Sequence, residues 1–136
     1  METKTFEANK VSIQINENTI QLNEKIVELV VENNNAVSGK IQFRGYCFPG
    51  LKVATLIQLD CTDTKLAKQL ITQATMVAWE MEYELFISTK QSKLFTQCGF
   101  QSFVVNSNEL FCAELSWNAF NKISVANVAM FLHRQN

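Results

Sequence analysis

The amino-acid sequence predicts an α/β (α+β) fold: a mixed, mostly antiparallel sheet carrying one long central helix, a short second helix and an added carboxyl-terminal helix. Three observations predict it. The apolar run Val53-Ala54-Thr55-Leu56-Ile57-Gln58-Leu59 ends at Asp60, too short for a helix but rich enough in branched residues for a buried strand. Directly after it, Leu66, Ala67, Leu70, Ile71, Ala74, Val77, Ala78 and Met81 recur at three- and four-residue spacing, the mark of a helix with one buried face. A short strand over 83–87 and a one-to-two-turn helix ending at Cys98 follow, so strand, helix and strand form a right-handed crossover with a parallel pair.

Taken in order, Val11-Ser12-Ile13-Gln14-Ile15 alternates apolar and polar and predicts a strand with one wet face. Asn16-Glu17-Asn18 predicts a turn, after which Thr19-Ile20-Gln21-Leu22 pairs back as a hairpin or Asn23 and Glu24 open a helix. The stretch 26–32 fits both periods, but its three Val and one Ile favour a strand, because branched side chains lose rotamer freedom in a helix. Asn33-Asn34-Asn35 predicts a polar hairpin turn, and 37–48 the return strand. Pro49-Gly50 is a turn leading into the strand at Val53. Thr62, Asp63 and Thr64 are capping residues for the long helix. At the end of the short helix, Gly99 suits the left-handed stop and Phe100 the fold back onto the last turn. Ser102-Phe103-Val104-Val105 and 110–115, joined by Asn106-Ser107-Asn108, predict a closing hairpin. The tail 125–132 is apolar on nearly every side, with Ser124 as a cap for a final helix.

Length and composition bound the function. The 136 residues suffice for one domain, with 116–136 as a carboxyl-terminal helical extension. Net charge is −1 with no basic stripe, which disfavours nucleic acid and anionic membranes as partners. The first residues lack the apolar core of a signal peptide, and no run approaches the roughly 20 residues that span a bilayer, so a soluble, cytoplasmic protein is expected. Cys47, Cys61, Cys98 and Cys112 form no C-x-x-C pair and the single His133 stands far from them, so no metal is expected and the four thiols are read as buried and free. The apolar tail predicts a homodimer or a tail folded over its own sheet.

The string Leu94-Phe95-Thr96-Gln97-Cys98-Gly99-Phe100 resembles the Leu-Tyr-x-x-x-Gly-Phe element of the GNAT superfamily of acyl-CoA N-acyltransferases. The Val37-x-Gly39-x-Ile41 return strand is similar to that family's hairpin, and the resemblance covers 26–115. It implies transfer of an acyl group from acetyl-CoA or another acyl-CoA to a small-molecule or peptide amine. A non-catalytic binding or regulatory module that keeps the fold is the alternative.

The resemblance also implies cofactor-binding positions. The family's pyrophosphate loop, Q/R-x-x-G-x-G/A, falls on Thr62, Asp63, Thr64, Lys65, Leu66 and Ala67, just after Leu59. Thr62 stands for Gln or Arg, Lys65 for the first Gly, and Ala67 alone fits. Ser88 and Thr89 lie near a position where members carry a cofactor-contacting Asn. Phe95 takes the place of the Tyr that protonates the leaving thiolate, and Phe has no proton to give. Glu80, Glu82 and Glu84 offer a base acting through water, or only a solvated acidic edge. The ten residues 16–25 leave no room for the two helices that wall the family's acceptor site.

Overall fold

A computed structural model describes residues 3–8, 11–20, 24–33, 36–48, 50–90, 92–105 and 107–122. They form one eight-stranded sheet with two helices: β1 (Thr3–Ala8), β2 (Val11–Ile20), β3 (Glu24–Asn33), β4 (Ala36–Phe48), β5 (Leu51–Asp60), α1 (Thr64–Glu80), β6 (Leu85–Ser88), α2 (Lys93–Gln97), β7 (Gln101–Val105) and β8 (Asn108–Glu114), then a 3-10 turn, Ala119–Lys122. The sheet order is β1-β2-β3-β4-β5-β6-β8-β7. Every pairing is antiparallel except β5 with β6. The mixed α/β architecture is therefore the expected one. Among the described residues no helix is long and apolar enough to cross a membrane.

The ambiguous stretch resolves as a strand. Val27, Leu29 and Val31 are fully buried toward α1 while Glu28, Val30 and Glu32, which alternate with them, keep partial exposure, the period of two that a half-wet strand requires. The turn expected at Asn16-Glu17-Asn18 is not formed. These residues continue β2, with Asn16 opposite both Thr3 and Glu28, Glu17 opposite Val27 and Asn18 opposite Ile26. Ladder pairing on the β3 side outweighs the local turn preference of Asn, as tertiary context commonly does. Thr19 and Ile20 consequently belong to β2, and Glu24 opens β3 instead of a helix. Strand β1 had no counterpart in the sequence reading.

Two cores cover the two faces of the sheet. On one, Leu70, Ile71, Ala74, Val77 and Ala78 of α1 pack against Val27, Leu29, Ile41, Phe43 and Phe86. Phe43 meets Phe86 at 5.3 Å between ring centroids, and Phe86 meets Phe100 at 5.9 Å, both edge to face. On the other face, Tyr46, Leu51, Val53, Leu85, Ile87, Leu110 and Cys112 form a second cluster closed by Ala119 and Phe120. Helix α2 stops as expected. The Phe100 amide donates to the Phe95 carbonyl at 3.0 Å and the Gly99 amide to that of Thr96 at 3.1 Å, a Schellman pair that needs the positive φ of +93° at Gly99.

The four cysteines are free, but burial differs from expectation: Cys112 is buried, Cys61 and Cys98 are half-buried, and Cys47 is exposed at the end of β4. The expected terminal helix over 125–132, His133, and turn residues 34, 35, 49 and 106 lie outside the described residues.

Candidate functional site

The parallel strands β5 and β6 separate. They pair only at Val53↔Leu85, Ala54↔Phe86 and Thr55↔Ile87, yet β5 continues to Asp60 while β6 ends at Ser88. Among the described residues nothing pairs with β5 beyond Thr55 on this side, so backbone groups between Leu56 and Asp60 face an opening. The register between β4 and β5 also slips there: Gln42 faces Gln58 and Phe43 faces Leu56, leaving Ile57 as the extra residue of a bulge. Openings at the carboxyl ends of parallel strands, where the strand order changes direction, are where open sheets take ligands. Neither the split nor the bulge was read from the sequence, because the run 53–59 is uniformly strand-like.

The carboxyl end of β5 brings Leu59, Thr62, Asp63, Thr64, Lys65, Leu66 and Ala67 to one rim of the opening, and the end of β6 brings Ser88 and Thr89 to the other. Thr62, Thr64 and Lys65 are exposed, whereas Leu59 and Leu66 pack partly against the core and Ala67 lies within it. Asp63 is the N-cap of α1: its Oδ1 accepts from the Leu66 amide at 3.0 Å and its carbonyl from the Ala67 amide at 2.9 Å. The helix start thus already holds a carboxylate of its own. Ser88 is fully buried, its Oγ accepting from the Lys90 amide at 3.1 Å, and Thr89 is exposed. The Phe95 ring is buried edge to face on Phe100 at 5.1 Å and has no free surface to offer a ligand. Shallow clefts flank the rims, one of about 250 Å³ beside Lys40, Asp60, Cys61 and Thr62 and one of about 260 Å³ beside Ser92, Lys93, Thr96 and Glu109.

The acids and thiols divide by position. Glu84 sits at the amino end of β6, the end opposite the split, where it takes the Lys52 amide at 3.1 Å and the Lys122 ammonium. The hydrogen bond from Lys122 holds its carboxyl below the ordinary glutamate value, with Lys52 adding to the effect. It is a structural clip and too far along the strand to act as a base in the opening. Cys61 is at the rim, donating to the Asp63 carbonyl at 3.4 Å, but burial first and then the charges of Asp63 and Asp60 push its thiol up. Burial likewise raises Cys98, and raises Cys112 to about 12. Low thiolate content makes all three poor nucleophiles. Among the described residues no three His, Cys, Asp or Glu side chains stand together as a metal site.

The face of the sheet away from α1 holds a group that the sequence reading passed over. Arg44 of β4 lies there with Gln42 and Tyr46, and its Nε is enclosed without a hydrogen-bond partner. The signal was available: Gly39, Ile41, Phe43 and Gly45 alternate with Lys40, Gln42, Arg44 and Tyr46, so β4 has one small or apolar face and one polar face.

Over about two thirds of the chain this fold matches that of GNAT N-acetyltransferases. The chain superposes on the GNAT family N-acetyltransferase YhbS of Escherichia coli, solved with CoA, with a TM-score of 0.61 and 18% identity over 72% of this chain and 63% of that one. FeeM, an N-acyl amino acid synthase from uncultured soil microbes, matches with a TM-score of 0.54 and 13% identity over 66% and 72%. N-acetylglutamate synthase of Neisseria gonorrhoeae, complexed with CoA and N-acetyl-glutamate, matches with a TM-score of 0.54 and 12% identity over 66% and 26%. The chain spans less than two thirds of YhbS and about a quarter of the last enzyme. At these identities the likeness is one of fold. Comparisons with family models and with curated proteins find no match.

Proposed function

We propose that the protein is a reduced acyl-CoA-dependent N-acyltransferase that takes its acyl-CoA in the opening between β5 and β6. The observation that carries this reading is the divergence of the two strands after Thr55↔Ile87, with the Ile57 bulge beside it, since among the described residues it leaves strand backbone unpaired and able to bind an extended amide-bearing chain. Two similar structures are named as synthases of an N-acyl amino acid and of N-acetylglutamate, products with the acyl group on an amine nitrogen. In such a transfer the amine nitrogen bonds to the thioester carbonyl carbon, the C–S bond breaks, and the proton lost by nitrogen leaves through solvent while the thiolate is protonated. With Phe95 buried and Glu84 clipped at the far end, the chain contributes positioning more than acid or base catalysis.

The fit to the substrate is uneven. The opening suits its extended arm, but the Asp63 carboxylate on the Leu66 amide, together with Asp60, sets negative charge where a pyrophosphate would bind, and Lys65 offsets this only in part. That observation favours a second reading, a non-catalytic GNAT-fold binding module. A thermal-shift titration with CoA and acetyl-CoA, paired with thiol release over a panel of amines, separates the two. A ligand at about 100 times its dissociation constant stabilises by about 2.7 kcal/mol. Stabilisation with amine-dependent thiol release is expected; stabilisation without release supports the module, and no stabilisation at millimolar acetyl-CoA removes the transferase reading.

A further inference from the structure

Among the described residues, Arg44 carries the one buried side-chain nitrogen without a hydrogen-bond partner. It projects from β4 to the face opposite α1, since Phe43 and Gly45 on either side of it face α1 and Tyr83. Its cross-strand neighbours are Ile26 on β3 and Thr55 on β5, and Thr55 is the last residue of β5 that pairs with β6. Arg44 therefore stands at the mouth of the split, on the far side of the sheet from the helices.

The guanidinium is held but not neutralised. Its Nη1 reaches the Tyr46 hydroxyl at 3.4 Å, a long contact, and Nε is enclosed without a partner, while the residue keeps part of its surface open. The one ion pair among the described residues is Lys122 with Glu84, at the other end of the strands. A cation with one edge stripped of water and no ion-pair partner among the described residues attracts an anion at its remaining edge more strongly than a solvated one does, and the planar fork matches a carboxylate. Around it the face is polar: the Thr55 hydroxyl is buried and donates to the Arg44 carbonyl at 3.4 Å, and Gln42 donates to Glu28 at 2.5 Å. Glu28 is diagonal to Arg44 across the β3–β4 ladder, roughly 7–8 Å away at the backbone. A carboxylate and a guanidinium on one sheet face and not paired with each other complement the two ends of an amino acid, and Glu28 disfavours a doubly charged phosphate.

We infer that this polar half of the sheet face is the acceptor subsite, and that Arg44 binds the carboxylate of an amine acceptor of the α-amino acid type. The inference rests on the acyl-transfer reading for the word acceptor, but the site itself is tested without acyl-CoA. Calorimetry on the full chain compares leucine, phenylalanine and glutamate with their α-amides, in the wild type, Arg44→Gln and Arg44→Lys, each checked for folding by thermal melting. The wild type should bind at least one free acid about tenfold more tightly than its amide. Arg44→Gln should bring that ratio close to one, and Arg44→Lys should keep only part of it because the fork is lost. No acid bound at about 100 mM, an acid-to-amide ratio near one in the wild type, a ratio unchanged in Arg44→Gln, or equal competition by inorganic phosphate each overturns the inference. Thiol release from acetyl-CoA with the same probes is read separately: a carboxylate preference without release would leave the subsite standing and remove the transferase.

Discussion

The two ends of the β5–β6 pair are built on opposite plans. At the amino end, the Glu84 amide donates to the Lys52 carbonyl at 2.8 Å, the Glu84 carboxylate takes the Lys52 amide and the Lys122 ammonium, and the Leu115 amide donates to the Glu84 carbonyl at 2.9 Å. One residue there ties together two strands, the exit of β8 and the 3-10 turn. At the carboxyl end, pairing stops after three residues, a bulge interrupts β5, and the polar groups of Asp63, Ser88 and Ser92 are spent on their own local turns. The difference separates framework from site within a single strand pair. Cross-links that hold the sheet are concentrated at the end away from the split, which lets the other end open without loss of the fold.

Damage to the closed end should therefore cost most. Gly45 lies under Tyr83, and a Cβ on it would fall onto the Tyr83 hydroxyl and ring. Because Tyr83 is buried, the ring cannot move aside freely, and Gly45→Ala should lose about 2–3 kcal/mol, read from the urea midpoint. An unchanged midpoint would mean that Tyr83 is not fixed at this end. Next in size is Gly99→Ala. No atom lies within 4 Å of its added Cβ, so the whole cost is conformational, about 1 kcal/mol from the positive φ. Gly99→Asn should lose less, since Asn tolerates that region, and equal losses for both would argue for a packing cause instead.

These positions also mark what was legible in the amino-acid sequence. The Gly99 stop, the apolar face of α1 and the strand nature of 26–32 were readable because each depends on local conformation or a single period. The start of β2 was also readable, from the alternation over 11–15, but its continuation was not, because Asn16, Glu17 and Asn18 are turn formers by themselves and become strand only through partners far along the chain. The candidate rim was partly legible. The carboxyl end of β5 and the Asp63 cap follow from sequence pattern, whereas the split depends on β6 being six residues shorter than β5, and Arg44 on which face its strand turns outward. Burial of Phe95 also depended on packing that no single strand pattern carries.

A smaller effect is expected from the clip itself. The folded carboxyl of Glu84 is depressed by Lys122, so its stabilisation is complete above the ordinary value of 4.5 and is lost as pH falls through the lower folded value. Lys122 is about half exposed, so solvent screening keeps the pair's contribution within the range of surface ion pairs, about 0.2–1 kcal/mol. Glu84→Gln should reduce stability by that order at neutral pH and flatten the acid limb of a stability-pH curve below 4.5. A variant with the same acid limb as the wild type would assign the dependence to other carboxylates.

The open end should show the reverse pattern, with little change in stability and a clear change in ligand binding. Asp63→Asn is the sharpest case. Asn caps a helix about as well as Asp, so the bond to the Leu66 amide is kept and the melting temperature should hardly move. What disappears is the negative charge at the start of α1, beside the exposed Lys65. Removing it strengthens the positive end of the helix dipole and leaves Lys65 with only Asp60 as an acidic neighbour in sequence. Acetyl-CoA should therefore bind the wild type more weakly than micromolar and the variant several-fold more tightly, with a steeper loss of affinity as salt is raised. Lys65→Glu should act in the opposite direction. Calorimetry at low and moderate ionic strength checks all three proteins: a micromolar complex in the wild type, or equal affinities in the wild type and Asp63→Asn, would mean that the phosphates lie elsewhere and that the carboxyl end of β5 is not the rim that receives them.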